Sequence, residues 1–275
     1  SPTPGAHKYA TPPSDSGLTR YKEAMLTPVQ QAITLLGDTL LAVWRGTLRG
    51  WQFRPQDFAR ILADASARAL LIVLVVNVLV GAIIAFVGAV QLLKFGAGIF
   101  VADLVAIAIS REMAAVITAV VMCGRTGAAF AAELATMQAN EEVDALSVLG
   151  LNAVDYLVLP RVLTLLFMMP LLYLFGCVGG LLGGFAVSSS LLDLAPIAYF
   201  DRTVAALTYT HLGLGFFKSM AFGLLVSLAA CFHGLYAPRN AAGVGMATTR
   251  AVVAGIVGVI ALDAVFAVCA DALGI

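Results

Sequence analysis

Five apolar stretches, each long enough to cross a lipid bilayer, constrain the fold of this 275-residue chain more than any other feature. A helix needs about 20 apolar residues to cross the hydrocarbon core. The chain is 61% hydrophobic and 12% charged, whereas ordinary soluble domains carry roughly 25% charged residues. We therefore predict an all-α integral membrane protein. The predicted spans are approximately residues 69–93, 103–124, 161–187, 213–236 and 251–271.

Lysine and arginine are distributed unevenly between the connections. Of the sixteen basic residues, twelve are assigned to the N-terminal segment and to the connections after spans 2 and 4. Arg111 lies within a span, and Lys94, Arg202 and Lys218 are assigned to the other side. Because cytosolic segments are enriched in Lys and Arg, we predict a cytosolic N-terminus and a C-terminus on the outside. The formal net charge is zero, so no global basic field attracts nucleic acid.

The segment before the first span divides into two parts. Residues 1–26 open with a polar stretch rich in Pro and Ser, and we predict a disordered cytosolic tail. Residues 27–51 have apolar residues near helical spacing and begin with a capping box from Thr27 to Gln30. Polar residues interrupt the apolar run, so we predict an amphipathic helix lying in the membrane interface. The alternative is a sixth crossing.

Few polar residues fall inside the predicted spans. Arg111 and Glu112 lie near the middle of span 2, Asp263 in span 5 and Asn77 in span 1. Adjacent residues on a helix point about 100° apart, so we expect Arg111 and Glu112 each to need another partner. Two alternatives stay open for them: a structural ion pair with other helices, or contact with a charged group of a substrate. Arg111, Glu112 and Asn77 are the candidate substrate-cavity residues, with a structural role favoured for Asn77 and Asp263.

An acidic stretch lies between spans 2 and 3. Residues 132–150 carry four carboxylates and no basic residue. Asn140 is suited to cap a helix whose first turn is acidic, and Gly150 is suited to end it. The apolar residues recur at three-residue intervals, which indicates one apolar stripe. This pattern predicts a short cytosolic helix that docks on a partner, or alternatively a solvated loop. The candidate residues are Asn140, Glu141, Glu142, Val143, Asp144, Leu146 and Leu149.

Glycines repeat at intervals of four in the third span. Gly176, Gly180 and Gly184 form one register, and Gly179 and Gly183 form a second. Small residues at this spacing let helix backbones approach closely in lipid. The pattern predicts a helix–helix contact, either within the chain or between two copies of it.

Motifs for catalysis are missing from the sequence. There is no GxxxxGK[ST] phosphate loop, no HExxH and no GxSxG, and the three histidines stand far apart. We therefore predict that the chain is not an enzyme by itself and holds no cofactor or metal.

Residues 110–162 carry a family resemblance. This block, SREMAAVITAVVMCGRTGAAFAAELATMQANEEVDALSVLGLNAVDYLVLPRV, closely resembles the corresponding region of the MlaE (YrbE) family of ABC transporter permeases. The later ATTRAVV, residues 247–253, fits the family's entry into its last span. The resemblance extends over residues 27–275, which we treat as one permease domain.

The resemblance implies a function and a set of partners. A member of this family is expected to be a homodimeric permease in the bacterial inner membrane, with its C-terminus in the periplasm. It would work with a cytosolic ATPase that holds ATP and Mg²⁺, often with a STAS-domain subunit, and with a periplasmic MCE-domain protein. Together they would move phospholipid between the inner and outer membranes and maintain outer-membrane lipid asymmetry.

The resemblance also assigns roles to residues. It implies that the stretch from Asn140 to Leu149 is the coupling helix seated on the ATPase, and that the pair Arg111–Glu112 lies near a lipid cavity between the protomers. Members commonly continue Arg-Glu-Leu-Gly-Pro, whereas this chain continues with Met113, Ala114 and Ala115. Without Gly or Pro, we expect a straighter helix here. The alternative functions are a proton-coupled secondary transporter and a membrane scaffold subunit.

Overall fold

The computed structural model describes residues 16–49, 55–191 and 196–274, and within these ranges the chain is helical with short turns and has no strand. Ten α-helices follow one another. They are α1 Ser16–Arg49, α2 Pro55–Leu92, α3 Val101–Ala108, α4 Ala114–Met122, α5 Ala128–Ala139, α6 Glu142–Val148, α7 Leu159–Leu191, α8 Pro196–Ala206, α9 Tyr209–Leu235 and α10 Ala241–Ala272.

Five helical segments in the described residues are long and apolar enough to cross a membrane, which confirms the predicted number. The second span is 42 residues long, about twice what a bilayer requires. It joins α3, α4 and α5 through two π-helical turns. The spans are Ala69–Phe95, Gly98–Ala139, Val154–Ser190, Tyr209–Leu235 and Ala241–Ala272, numbered 1 to 5.

The connections divide between two ends of the bundle because successive spans alternate in direction. One end, which we call the basic end, carries the last residues of α1, the start of α2, α6 and residues 236–240. An ion pair of 3.3 Å between Arg45 and Asp155 ties α1 to the start of span 3 at this end. The opposite end carries residues 93–100 and α8.

Spans 1 and 3 make the most extensive helix contact in the described chain. A side chain at Gly81 would collide with the carbonyl oxygen of Gly180, and one at Gly183 with the carbonyl oxygen of Val78. The glycine repeat of span 3 therefore serves close packing within the chain. Of the two alternatives left open by the sequence, the structure selects the intramolecular contact.

Helix α1 begins earlier than its sequence predicts. It runs without interruption from Ser16, so the capping box at Thr27 does not mark its start. Residues 16–26 of the predicted tail are thus helical, while residues 1–15, 50 and 51 lie outside the described residues. Among the described side chains of α1, Leu35 and Ala42 are buried against the bundle, whereas Leu40 and Trp44 leave apolar surface exposed. Its position in the membrane interface stays a prediction.

Candidate functional site: an ionic cluster within the spans and a helix at the basic end

At Arg111 and Glu112 the backbone of the second span forms a wider turn than that of a regular α-helix. Residues Ile109–Met113 form a π-helical turn, and residues Cys123–Gly127 form another. We expected a straighter helix here because Gly and Pro are missing, whereas the structure interrupts the regular α-helix with a π turn that needs neither residue. Such turns inside α-helices are frequent at functional sites.

Neighbouring spans hold the first π turn in place. The hydroxyl of Tyr173 in span 3 donates a 2.6 Å hydrogen bond to the carbonyl oxygen of Ser110. A side chain at Gly215 in span 4 would collide with that same carbonyl and with the Tyr173 hydroxyl. The glycine lets span 4 approach span 2 closely, and Lys218 follows one turn further along span 4.

Four charged side chains from three spans meet beside this turn. Lys218 Nζ donates to Glu112 Oε2 and, at 3.0 Å, to Asp263 Oδ1. Arg111 Nε lies 3.6 Å from Glu112 Oε1, an ion pair that is too long for a hydrogen bond. Glu112 also has the second partner that we expected. We call Arg111, Glu112, Lys218 and Asp263 the ionic cluster.

Lys218 was wrongly assigned to an external connection. Its side chain is fully buried and lies well inside span 4, which begins at Tyr209. The signal that could have found it was its place within the apolar stretch 213–236. Lys218 also gives Asp263 a charged partner. Asp263, for which the sequence favoured a structural role, therefore belongs to the same cluster as the candidate cavity residues Arg111 and Glu112. Once Lys218 is assigned to a span, Lys94 and Arg202 are the two basic residues that remain on the outer side in the predicted topology.

The ionic cluster has equal numbers of positive and negative groups, and three of its four side chains are partly exposed. It contains two cations and two carboxylates, and Lys218 is buried completely. The side chains of Arg111, Glu112 and Asp263 keep between 23% and 26% of their surface exposed. Charged groups at membrane depth face a bundle interior or a water-filled cavity rather than lipid tails. The exposed part of the cluster therefore points to such a cavity or to another protein surface.

Asn77 lies apart from the ionic cluster. Its side chain is fully buried between spans 1, 2 and 3, where Nδ2 donates to the carbonyl of Val73 at 2.9 Å and to Thr118 Oγ1 at 3.4 Å. A side chain at Gly176 would press against it. This environment is typical of a structural polar residue, and its candidate role in a substrate cavity stays a prediction.

At the opposite end, α8 is fixed to the start of span 2. Arg202 forms a forked pair with Asp103, with nitrogen–oxygen distances of 2.9 to 3.1 Å. Its guanidinium also lies 4.7 Å from the centre of the Phe100 ring. Hydrogen bonding to Asp103 and the charge of this carboxylate raise the pKa of Arg202 above its usual value. This contact fixes α8 to the bundle.

The acidic stretch at the basic end forms a short helix, α6, but its start differs from the prediction. Asn140 ends the preceding helix α5 and donates to Glu142 Oε1 at 3.1 Å, so it is not the N-cap. That position belongs to Glu141, whose φ of 59° is left-handed. The predicted end is correct, since Gly150 has a φ of 74° and Leu151 N–H donates to the carbonyl of Leu146.

The apolar stripe of α6 faces two ways. Val143 and Leu146 pack against the chain's own core beside Leu134 and Val158. Leu149, the third member of the stripe, is 73% exposed. Its neighbour Val148, which the stripe did not include, is 86% exposed. The outward apolar surface of α6 is therefore Val148 and Leu149.

Asp144 joins α6 to the other connection at the basic end. Its carboxylate accepts from both terminal nitrogens of Arg239, at 2.7 and 3.1 Å. Arg239 lies between spans 4 and 5, so the two connections form one unit. Both side chains of this pair are about half exposed.

Within the part of the chain that the structure describes, no group of His, Cys, Asp and Glu side chains is arranged to hold a metal ion. Five spans that carry a balanced ionic cluster define a multi-pass membrane protein. The chain matches the family model described as Permease MlaE over residues 58–269. It belongs to the MlaE permease family and is a permease.

Individual relatives carry similar names. A probable ABC transporter permease of Rickettsia conorii is 38% identical over 173 residues, which cover 63% of this chain and 67% of the relative. A probable ABC transporter permease of Synechocystis is 36% identical over 169 residues, 62% of this chain and 64% of the relative. The chloroplast protein TRIGALACTOSYLDIACYLGLYCEROL 1 of Arabidopsis thaliana is 31% identical over 229 residues, 83% of this chain and 64% of the relative.

Proposed function

We propose that this chain is the membrane subunit of an ABC transporter that moves phospholipid between the bacterial inner and outer membranes and so maintains outer-membrane lipid asymmetry. Membership of the permease family and the names of relatives as probable ABC transporter permeases support this proposal. The Arabidopsis relative bears the name of a glycerolipid, which favours lipid as the cargo. ATP and Mg²⁺ would bind a separate cytosolic ATPase chain.

The observation that carries the proposal is the partly exposed ionic cluster at membrane depth. A phospholipid headgroup has a phosphate that Arg111 can bind through its guanidinium. Zwitterionic headgroups also carry a cation that Glu112 or Asp263 can bind. A lipid crossing the bilayer must take its charged headgroup past apolar side chains, and a balanced cluster would stabilise both of its charges along this route.

A homodimer would enclose this route. Span 5 is poorly covered by the rest of the chain, since only 11% of its most apolar window is buried. Asp263 of the ionic cluster lies on this span. A second copy packed here would cover the apolar surface and convert the opening of the cluster into a cavity between protomers. The same dimer would present two copies of α6 to two ATPase chains.

A proton-coupled transporter is the second candidate. It is favoured by the contact of Glu112, Lys218 and Asp263, which places three titratable groups in one network inside the membrane. The two candidates differ in their partners, because an ABC permease requires a stoichiometric ATPase and a proton-coupled transporter requires none.

Purification from native membranes tests the proposal. We expect a complex that contains this chain and an ABC ATPase in equal amounts, with a periplasmic MCE-domain protein and, in some systems, a STAS-domain subunit. Mass spectrometry of the intact complex gives the stoichiometry, and addition of phospholipid should stimulate ATP hydrolysis. A purified chain that transports lipid down a proton gradient with no ATPase present would favour the second candidate.

The proposed topology places the basic end in the cytosol and the C-terminus in the periplasm. In a variant without its native cysteines, Leu273→Cys should react with an impermeant maleimide in cells whose outer membrane is permeabilised. Ser147→Cys on α6 is the matched probe, since both positions are exposed. It should react only after lysis. The reverse pattern of labelling would invert the orientation and place α6 out of reach of a cytosolic ATPase.

A further inference from the structure

The π turn at Ile109–Met113 changes the hydrogen bonding of the span 2 backbone. In a regular α-helix the N–H of Ala114 would donate to the carbonyl of Ser110, four residues earlier. Here it donates to the carbonyl of Ile109 instead. The Ser110 carbonyl thus loses the donor that a regular helix would give it, at a residue that is fully buried. A buried carbonyl needs a replacement donor, because leaving it without one is destabilising.

Tyr173 supplies this donor from span 3. Its side chain is fully buried, and its hydroxyl donates to the Ser110 carbonyl at 2.6 Å and lies 3.3 Å from the carbonyl oxygen of Leu212 in span 4. Gly215 allows this contact, because a side chain there would collide with both the Ser110 carbonyl and the hydroxyl. Residues 109–115 contain neither Gly nor Pro. The irregular backbone therefore coincides with a side chain that enters the helical hydrogen-bond ladder.

The position of the Tyr173 hydroxyl links it to the ionic cluster. Ser110 lies two residues before Glu112 in span 2, and Leu212 lies six residues before Lys218 in span 4. Tyr173 therefore contacts the backbones of both helices whose side chains form the pair between Glu112 and Lys218. A buried ion pair offsets the cost of its burial only when its geometry is good. The relative placement of these two backbones decides that geometry.

We propose that Tyr173 is a positioning residue for the ionic cluster. Its hydroxyl stabilises the π turn by binding the released Ser110 carbonyl, and the turn sets the Glu112 carboxylate against Lys218. Without the hydroxyl, the regular helical bond from the Ala114 N–H to Ser110 becomes the more favourable arrangement. A change of one residue in helical register rotates one flank of the turn by about 100° relative to the other. Even part of this rotation moves Glu112 away from Lys218.

A double-mutant cycle tests this role without reference to transport. Tyr173→Phe removes the hydroxyl and keeps the ring, and its effect on the thermal midpoint of the full chain in detergent is measured in two backgrounds. One background is the unmodified chain, and the other is a neutral cluster with Arg111→Gln, Glu112→Gln, Lys218→Met and Asp263→Asn. In the neutral background we expect a fall of about 2–4 °C, the effect of one hydrogen bond. In the unmodified chain we expect at least about twice this fall, because the ion pairs are displaced as well.

Tyr199→Phe is the matched control for the loss of a tyrosine hydroxyl. Tyr199 is also buried, but its hydroxyl lies beside Ser188 at the opposite end of the bundle. Its effect should be the same in both backgrounds, since the effects of distant sites add. An equal fall for Tyr173→Phe in the two backgrounds would overturn the positioning role. A fall for Tyr199→Phe that doubles in the unmodified chain would overturn it too, because the cycle would then report a general effect of the charges.

The consequence for lipid rests on the proposed function and is measured separately. In the complex with its ATPase, Tyr173→Phe should raise the phospholipid concentration that half-maximally stimulates ATP hydrolysis by about fivefold. The maximal rate should change little, because the displaced charges weaken binding of the headgroup. Coupled thermal shifts with unaltered lipid stimulation would support the positioning role of Tyr173 and contradict lipid as the ligand of the cluster. Uncoupled thermal shifts would overturn the inference whether or not lipid stimulates hydrolysis.

Discussion

Replacing Lys218 with methionine is expected to destabilise the folded chain by about 3–5 kcal/mol, the usual effect of removing one partner from a buried ion pair. Lys218 is fully buried and donates to both Glu112 and Asp263. Methionine keeps most of the side-chain volume but leaves two carboxylates facing each other within the spans. The measurement is the thermal midpoint of the purified protein in detergent, followed by size-exclusion chromatography.

A neutral cluster is the matched control for this variant. The quadruple change Arg111→Gln, Glu112→Gln, Lys218→Met and Asp263→Asn removes all four charges together, so no member of the cluster keeps a charge that has lost its partner. We expect it to recover most of the stability, because replacing a complete buried network by neutral groups is often nearly neutral. If the cluster also serves the passage of lipid, the quadruple variant should be stable and inactive. A Lys218→Met protein as stable as the unmodified chain would mean that the ionic cluster does not hold the three spans together.

The spans could be predicted from the sequence because the signal for them is local. A window of about 20 apolar residues crosses a bilayer whatever surrounds it, and all five predicted windows are spans. The close contact of span 3 was also visible in its glycine spacing, although its partner was not. The partner is span 1, through Gly81 and Val78, and only the packed bundle shows this.

The ionic cluster could be predicted only in part because it depends on contacts between distant segments. Arg111 and Glu112 stood out as charges within an apolar run, but Lys218 was assigned to a connection. The π turn at Ile109–Met113 has no sequence signal of the kind we used. Its carbonyl at Ser110 contacts Tyr173 and the backbone near Gly215, which lie more than 60 residues further along the chain.

In helix α6 the apolar spacing predicted a helix, but it did not predict which apolar residues face outward. Val143, Leu146 and Leu149 recur at three-residue intervals, yet a helix of only seven residues leaves the direction of the stripe to its neighbours. Leu146 packs inward because α5 and the start of span 3 lie beneath it. The surface left for a partner is Val148 and Leu149, at the end of the helix rather than along it.

Replacing Leu149 with aspartate is expected to release the ATPase from the purified complex. Burying a leucine side chain is worth roughly 1.5–3 kcal/mol, and a charge at the same place would have to be buried as well. Together these effects should weaken association at least a hundredfold. Because Leu149 is exposed, folding and dimer formation should be unchanged. The measurement is the amount of ATPase that co-purifies with an affinity-tagged permease.

Two further variants make this result specific. Thr136→Asp places the same charge on an exposed position of α5 at the same end of the bundle, and we expect the full amount of ATPase to co-purify with it. Leu146→Asp puts a charge against the chain's own core, so it should reduce the amount of folded permease before it affects association. If Leu149→Asp retains its ATPase, α6 does not dock through its outward surface, and residues 236–240 become the first alternative contact.

The central claim, that a separate ATPase acting through α6 drives lipid across this permease, is tested most directly by lipid movement in proteoliposomes that contain the purified complex. A fluorescent phospholipid should move when ATP and Mg²⁺ are supplied on the side of the basic end. Movement should stop with a non-hydrolysable ATP analogue and should be lost in Leu149→Asp, while Thr136→Asp transports normally. Lipid movement at the full rate without ATP hydrolysis, or in a Leu149→Asp protein that has lost its ATPase, would contradict the account.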